Sequence, residues 1–279
     1  MQTSCSTTRR GLLARARTLV AAGALLCVAA LIAAPAAPAA NTQLKEEFAE
    51  FLDCPEATAG VCTVAHTTSG EFKMGLKQVP IEKTITLQGG LPFAGLVDEN
   101  LIPARDGNTL ISPPQKVPGG LLGVGLLEGI TGEVTATATL AGPASDIVVN
   151  QFFVAKGGEG VAVVLPLQIK LDNPVLGDSC MIGSESEPVV LHLRTTKPGV
   201  LTTPGKKKIT KLSEVTLEDN TFAVPAAKNC GLSTVLVNLL AGLPSGAGHN
   251  KAVMIGDFEE TLDKWALKYA KPPKEKRKK

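Results

Sequence analysis

Two segments of the chain alternate apolar and polar residues with a period of two. In residues 133–140, Val134, Ala136, Ala138 and Leu140 alternate with one glutamate and three threonines. In residues 161–171, every second residue is Val, Leu or Ile. Successive side chains of a strand point to opposite faces, so this period is typical of a strand with one buried face. The chain is therefore constrained first of all to build a sheet.

Similar short segments recur between turn signals rich in Gly, Pro, Asn and Asp, for example at residues 106–108, 156–158, 172–174 and 204–205. Further strands are predicted at residues 72–74, 83–88, 147–153, 189–194, 214–217, 221–224, 235–239 and 252–258. Many short strands separated by regular turns are typical of an antiparallel sandwich or barrel. We therefore expect a mainly β fold, with one or two β-rich units within residues 40–256. Pro166 lacks an N–H donor and is expected at a sheet edge or a bulge.

Helical spacing is confined to the two ends of this β-rich region. Leu44, Phe48 and Phe51 or Leu52 recur at helical intervals in residues 41–52, which predicts a short N-terminal helix. A second, amphipathic helix is predicted over residues 257–270. It would begin at a capping box of Asp257 and Glu260 and present one apolar stripe, formed by Phe258, Leu262, Trp265 and Tyr269. We expect that stripe to pack on the sheet, with contact to a membrane surface as the alternative.

The first 39 residues have the composition of a secretory signal peptide. Four arginines precede an apolar run over residues 18–34, and two Ala-Pro-Ala sequences follow it. The mature chain is expected to begin near Ala37 or Ala40 and to be secreted or held at the cell envelope. Export by the general secretory (Sec) pathway is favoured, with twin-arginine (Tat) export through Arg9 and Arg10 as the alternative. A membrane anchor and a lipid on Cys27 are less favoured, since the run is short and Leu26 precedes the cysteine.

The remaining four cysteines, Cys54, Cys62, Cys180 and Cys230, are an even number in a chain expected to be exported. This pattern predicts two disulfides, because the extracellular compartment is oxidising. Three pairings are open, and we favour Cys54 with Cys62, which closes a small loop, and Cys180 with Cys230. A metal site is disfavoured because no Cys-x-x-Cys is present and the three histidines are far apart in sequence.

Charge is distributed unevenly along the chain. Residues 40–270 hold 18 Lys and Arg against 25 Asp and Glu, whereas residues 271–279 hold six basic residues and one acid. An acidic body argues against nucleic acid as a partner. The tail is expected to be disordered. Two basic patches are candidate contacts for anionic envelope polymers or a membrane surface. One is Lys206, Lys207 and Lys208, and the other is the tail, with Lys274, Lys276, Arg277, Lys278 and Lys279.

No sequence pattern for a catalytic centre stands out. The chain has no Gly-x-Ser-x-Gly elbow, His-Glu-x-x-His motif or P-loop. His66 and His192 are interpreted as surface residues of strands, and the acidic run at residues 184–187 as an exposed loop. We therefore predict no catalytic residue, metal ligand or cofactor. The favoured function is a non-catalytic domain that acts through surface or protein contacts, with a secreted hydrolase as the alternative.

Four stretches resemble an uncharacterised family of secreted actinobacterial proteins. They are TTSGEF at residues 67–72, TITLQGG at 84–90, LAGPAS at 140–145 and LDNP at 171–174. The likeness runs from about Cys54 to Phe258, and the C-terminal helix and basic tail look like additions to it. The family has no assigned activity, so the resemblance implies export and a β-rich fold, and it transfers no site residues.

Overall fold

The computed structural model describes residues 48–55, 58–92, 97–120, 132–203 and 208–269. All of them belong to one compact unit. The predicted signal peptide and basic tail lie outside the described residues, as do residues 41–47 of the predicted N-terminal helix and both Lys206 and Lys207.

Strands dominate the described residues, as the alternating segments predict. The seven longest are β1 (Val61–Met74), β3 (Ile85–Leu91), β8 (Thr135–Leu140), β10 (Val163–Asp172), β12 (Val189–Lys197), β14 (Ile209–Asp219) and β16 (Lys251–Leu262). The shorter ones are β2 (Lys77–Pro80), β4 (Glu99–Asn100), β5 (Ile102–Pro103), β6 (Leu110–Ile111), β7 (Gln115–Lys116), β9 (Val148–Val149), β11 (Met181–Ile182), β13 (Val200–Thr202) and β15 (Ala227–Lys228). The mainly β prediction is confirmed.

The strands pair antiparallel in one barrel-like sheet that nearly closes. Its main path is β15-β11-β10-β12-β14-β16-β1-β3-β5. The two ends approach each other at residues 99–103, where β4 pairs with β9 beside β10 and β5 pairs with β3. Between these two pairs, the Leu101 N–H donates to the Ile147 carbonyl oxygen at 2.9 Å. Closure in this way leaves few unpaired strand edges.

β10 lies in the centre of the sheet, with β12 on one side and β9 and β8 on the other. Its alternate residues from Val163 to Leu171 are buried in the main core, as their spacing predicts. The expectation for Pro166 was wrong, because this proline is buried inside a central strand and pairs with Val190. Its carbonyl accepts from the Ala141 N–H on the β8 side. The nitrogen of Pro166, which carries no hydrogen, points to the same side as this carbonyl. On that side of β10, the pairing passes from β9 to β8.

A second, smaller core lies on the outer face of β1, β14 and β16. Phe48 and Phe51 are fully buried there, with Cys54, Cys62, Val64, Ile209 and Ala266. Of the predicted N-terminal helix, residues 48–52 are described, and they contain only a 3-10 turn, Ala49–Phe51. The Cys54–Cys62 disulfide closes this outer layer.

Two segments predicted as strands, residues 147–153 and 235–239, contain helices, and only Val148–Val149 of the first form a strand, β9. α1 (Gln151–Lys156) starts at Asn150, whose side chain accepts from the Phe153 N–H, and Gly157 follows its last residue. α2 (Thr234–Ala241) ends at Gly242, which has a left-handed φ of 65°. Short apolar runs do not distinguish a buried strand from a helix, which explains both errors. The strand predicted at residues 221–224 was also wrong, since only Val224 forms a bridge, with Ser245.

The C-terminal helix begins later than predicted. Residues 257–262 continue β16, so the helix, α3, covers only Asp263–Tyr269. The predicted stripe is therefore divided between two elements. Phe258 packs on the main core, Trp265 packs on the second core, and Leu262 is exposed.

Both favoured disulfides are present, with Cα–Cα distances of 5.5 Å for Cys54–Cys62 and 4.2 Å for Cys180–Cys230. They lie at opposite ends of the sheet. Cys62 is near the start of β1, whereas Cys230 is at the 3-10 turn that leads into α2. Within the described residues, no helix is long and apolar enough to cross a membrane.

Candidate functional site: cavities inside the barrel-like sheet

Three apolar cavities follow one another along the interior of the sheet. The upper cavity, near the start of β1, has a volume of about 70 Å³. The middle cavity has a volume of about 30 Å³. The lower cavity, which α2 closes, has a volume of about 50 Å³. β10 orders them, because Val163 and Leu165 line the upper, Leu167 and Ile169 the middle and Leu171 the lower cavity.

Neighbouring cavities share the side chains that separate them. Ile85 lines both the upper and the middle cavity. Met74, Val79 and Ala136 line both the middle and the lower cavity. A methionine side chain is unbranched and adapts readily to the shape beside it. The cavities therefore form an interrupted apolar channel that runs parallel to β10.

Two hydroxyl groups in this apolar interior have no hydrogen-bond partner among the described residues. Thr63 Oγ1, in the upper cavity, belongs to a residue that is only 4% exposed. Ser112 Oγ, in the middle cavity, is likewise buried. A buried polar group left without a partner costs about 1–3 kcal/mol. Each hydroxyl is therefore able to form a hydrogen bond with a molecule bound inside the cavities.

Gln115, which also lines the middle cavity, is different because its side-chain amide is fully used. Its carbonyl oxygen accepts from the backbone N–H groups of Glu82 and Lys83, both at 3.0 Å. Its NH₂ group donates to the carbonyl oxygens of Lys83 and Pro113. These bonds fix the segment around β7 against the start of β3, so that Gln115 shapes the wall.

A partly buried glutamate lies at the upper end of the sheet. Glu260 pairs with Thr63 in the β1–β16 register, and the Gln151 NH₂ group donates to Glu260 Oε1 at 2.6 Å. Burial raises the pKa of Glu260 to about 7, the bond from Gln151 acts in the opposite direction, and the charge of Glu99 adds to the increase. Two carboxyl groups and an amide thus make this end polar and acidic.

β16 also carries an ion network, two members of which, Asp257 and His66, line the upper cavity. Lys211 Nζ lies 2.7 Å from both Asp257 Oδ2 and Glu259 Oε1. Burial opposes its charge, but the two carboxylates raise the pKa of Lys211. His66 on β1 bonds to Glu50 and to Thr86, so its ring nitrogens are engaged. The network fastens the second core to the sheet.

The lower cavity ends against α2 and one lysine. Val237, Leu240 and Ala241 form the helical part of its wall. Lys77 also lines it, and burial lowers the pKa of that ammonium group. Lys77 Nζ donates to the Gly120 carbonyl oxygen at 3.3 Å. The cavity is otherwise lined by apolar residues and Gly120.

Seven of the residues predicted for surface contact lie outside the described residues: Lys206, Lys207, Lys274, Lys276, Arg277, Lys278 and Lys279. Lys208 is the only predicted contact residue among the described residues, and its Nζ lies 4.1 Å from the centroid of the Trp265 ring. His192 lies on β12 with its side chain exposed, and Glu187 of the acidic loop forms an ion pair with Lys228 at 2.7 Å. Among the described residues, no group of three or more His, Cys, Asp or Glu could hold a metal ion.

Sequence reasoning missed the cavities and Glu260. A local signal for Glu260 exists, because Met254 and Phe258 precede it at even spacing and share its face in an extended strand. The helical interpretation of residues 257–270 concealed this spacing. The cavities have no such signal, since they depend on how distant strands meet.

Comparisons of the chain with protein families, curated proteins and solved structures found no significant match.

Proposed function

We propose that the chain is an exported, non-catalytic binding domain that holds a small apolar molecule inside its barrel-like sheet. The observation that carries the proposal is the series of apolar cavities with the unpartnered hydroxyls of Thr63 and Ser112. Ligand sites combine mostly apolar walls with a few polar groups that fix orientation. An apolar chain with one hydrogen-bonding group matches this arrangement.

The acidic upper end restricts the ligand further. Asp257 lines the upper cavity, and Glu260 and Glu99 lie at the same end of the sheet, so an anionic head group would be repelled by like charges. A neutral or cationic head group would avoid this repulsion. Export is supported by the two disulfides, which are compatible with an oxidising compartment, and by the sequence of the first 39 residues. The resemblance to a family of secreted proteins agrees with it.

A secreted hydrolase is the second candidate. It is favoured by Glu260, whose pKa of about 7 suits a general acid or base at neutral pH. Turnover of a panel of ester and glycoside substrates that Glu260→Gln abolishes would support this candidate. Binding without turnover supports the binding domain.

The binding proposal is tested with N-phenyl-1-naphthylamine, a neutral apolar fluorophore. We expect saturable binding to the intact protein and about tenfold or greater loss of affinity in Ala136→Leu, which places extra carbons between the middle and lower cavities. Thr137→Leu is the matched control, because the adjacent residue of β8 points to the other face. Equal affinity in both variants, or no saturable binding to the intact protein, would contradict the proposal.

A further inference from the structure

A patch of aliphatic side chains is exposed around α2. Leu232 is 106% exposed, Val235 80%, Leu239 72% and Leu76 76%. Val235 and Leu239 are four residues apart and so lie on one face of the helix. Leu76 is brought beside them because its N–H donates to the Ala241 carbonyl oxygen at 2.9 Å. We refer to these four residues as the α2 patch.

The chain that carries Leu232, Val235 and Leu239 has no formal charge, whereas Lys77 directly follows Leu76. The 22 residues from 229 to 250 contain no Asp, Glu, Lys or Arg. Exposed apolar groups grouped in this way mark interaction sites, whereas single exposed leucines are ordinary. The patch also lacks the Trp, Tyr and Arg side chains that dominate binding energy between proteins. Its chemistry matches hydrocarbon better than a folded protein surface.

The α2 patch is held in place at both ends. The Cys180–Cys230 disulfide fixes the turn before α2. The Asn238 side chain exchanges hydrogen bonds with the backbone N–H and carbonyl of Ala227 at 2.7 and 3.0 Å. Beyond α2, the β1–β2 turn approaches so closely that a Cβ on Gly75 would lie 2.3 Å from the Ala241 oxygen. Such anchoring presents the patch to a partner without any rearrangement.

α2 separates this patch from the lower cavity. Its inner residues, Val237 and Leu240, line the cavity, while Val235 and Leu239 face outward. A lipid surface is therefore an occupant that could cover the patch and also supply an apolar molecule to the cavity beneath it. This choice of occupant rests on the proposed function.

We propose that the α2 patch docks on the surface of a lipid bilayer, by insertion of its aliphatic side chains below the head groups. Binding by apolar insertion needs no anionic lipid and is not weakened by salt. Docking through the basic tail would behave in the opposite way, because it depends on anionic head groups. The tail also follows α3, which packs near the start of β1, at the end of the sheet opposite to α2.

The test is flotation of the mature protein with vesicles of pure phosphatidylcholine, in 0.1 M and 0.5 M NaCl. We expect similar binding at both salt concentrations, and a loss of about tenfold or more in Leu232→Ser/Leu239→Ser. Val200→Ser/Leu201→Ser is the matched control, because these β13 residues are 63% and 64% exposed but lie away from α2. The control should bind as the unchanged protein does.

Several outcomes would overturn the inference. Equal binding of both double variants to the vesicles would show that the α2 patch does not contact the bilayer. Binding that requires anionic lipid and disappears on removal of residues 271–279 would assign it to the tail. A dimer in sedimentation experiments without lipid, dissociated by Leu232→Ser/Leu239→Ser, would make a second copy the occupant. A large loss of stability in that variant would instead show that the patch packs within the chain.

Failure of docking is distinguishable from failure of the binding proposal. Ala136→Leu should still float with vesicles while it loses the fluorophore, and Leu232→Ser/Leu239→Ser should still bind the fluorophore. Vesicle binding without any uptake of fluorophore would refute the cavity and leave docking in place. Fluorophore uptake without vesicle binding would refute docking alone.

Discussion

Glu260 occupies an environment that differs greatly from water. Its pKa is raised to about 7 from a usual 4.5, so between these values the unfolded chain releases a proton that the folded chain retains. The unfolded state is then favoured progressively as the pH rises from 4.5 to 7. The stability available below pH 4.5 is thus lost by pH 7. The size of this loss is roughly 3 kcal/mol.

Glu260→Gln should remove this loss, because glutamine is neutral at every pH. We expect the variant to exceed the unchanged protein in free energy of unfolding by roughly 3 kcal/mol at pH 7.5 and by little at pH 4.5. Urea unfolding at both pH values measures the difference. Asp257, whose pKa is lowered because the Lys211 contacts and the Glu214 N–H outweigh burial, is retained in both proteins and cancels from the comparison. If the difference in free energy of unfolding between the variant and the unchanged protein were the same at both pH values, the raised pKa of Glu260 would be refuted.

At the scale of single elements, β16 and α3 illustrate where local pattern misleads. Phe258, Leu262 and Trp265 have helical spacing, yet β16 pairs with β1 as far as Leu262 and with β14 as far as Thr261. Two neighbouring strands supply hydrogen bonds along the segment, and this tertiary pairing outweighs a local helical preference. The helical spacing nevertheless predicted correctly that Trp265 packs against the rest of the protein, because Trp265 contacts the second core.

Trp265→Ala tests whether α3 stabilises that core. We expect a loss of about 2 kcal/mol, less than for a fully buried tryptophan, because Trp265 is only partly buried. Leu262→Ala is the control and should change stability by less than about 1 kcal/mol, since Leu262 is 41% exposed. Circular dichroism must report unfolding, because Trp265 is the only tryptophan. Similar values for both variants would indicate that α3 does not hold the outer layer.

For the whole molecule, the sequence predicted the mainly β class, the antiparallel arrangement and both disulfides. Each of these depends on local alternation or on cysteine number. Closure of the sheet could not be predicted, because it depends on residues 99–103 reaching both β9 and β3. Strands of two residues have no detectable period. The cavities share this origin, since they are spaces between strands far apart in sequence.

The two disulfides fasten opposite ends of the sheet, so their removal should have separable effects. By loop entropy, Cys180–Cys230, with a separation of 50 residues, contributes about 4 kcal/mol, and Cys54–Cys62, with a separation of 8, about 2.5 kcal/mol. Cys180→Ala/Cys230→Ala should also speed amide exchange in α2 and weaken fluorophore binding, because α2 forms a wall of the lower cavity.

Cys54→Ala/Cys62→Ala is the matched control for that variant. It should loosen the second core and expose Trp265, and leave exchange in α2 unchanged, because the second core does not touch the lower cavity. Urea unfolding, fluorophore titration and hydrogen exchange of the two variants measure this separation. Equal effects of both variants on α2 would show that the sheet transmits strain from end to end, and the two ends would then have to be treated as one cooperative unit.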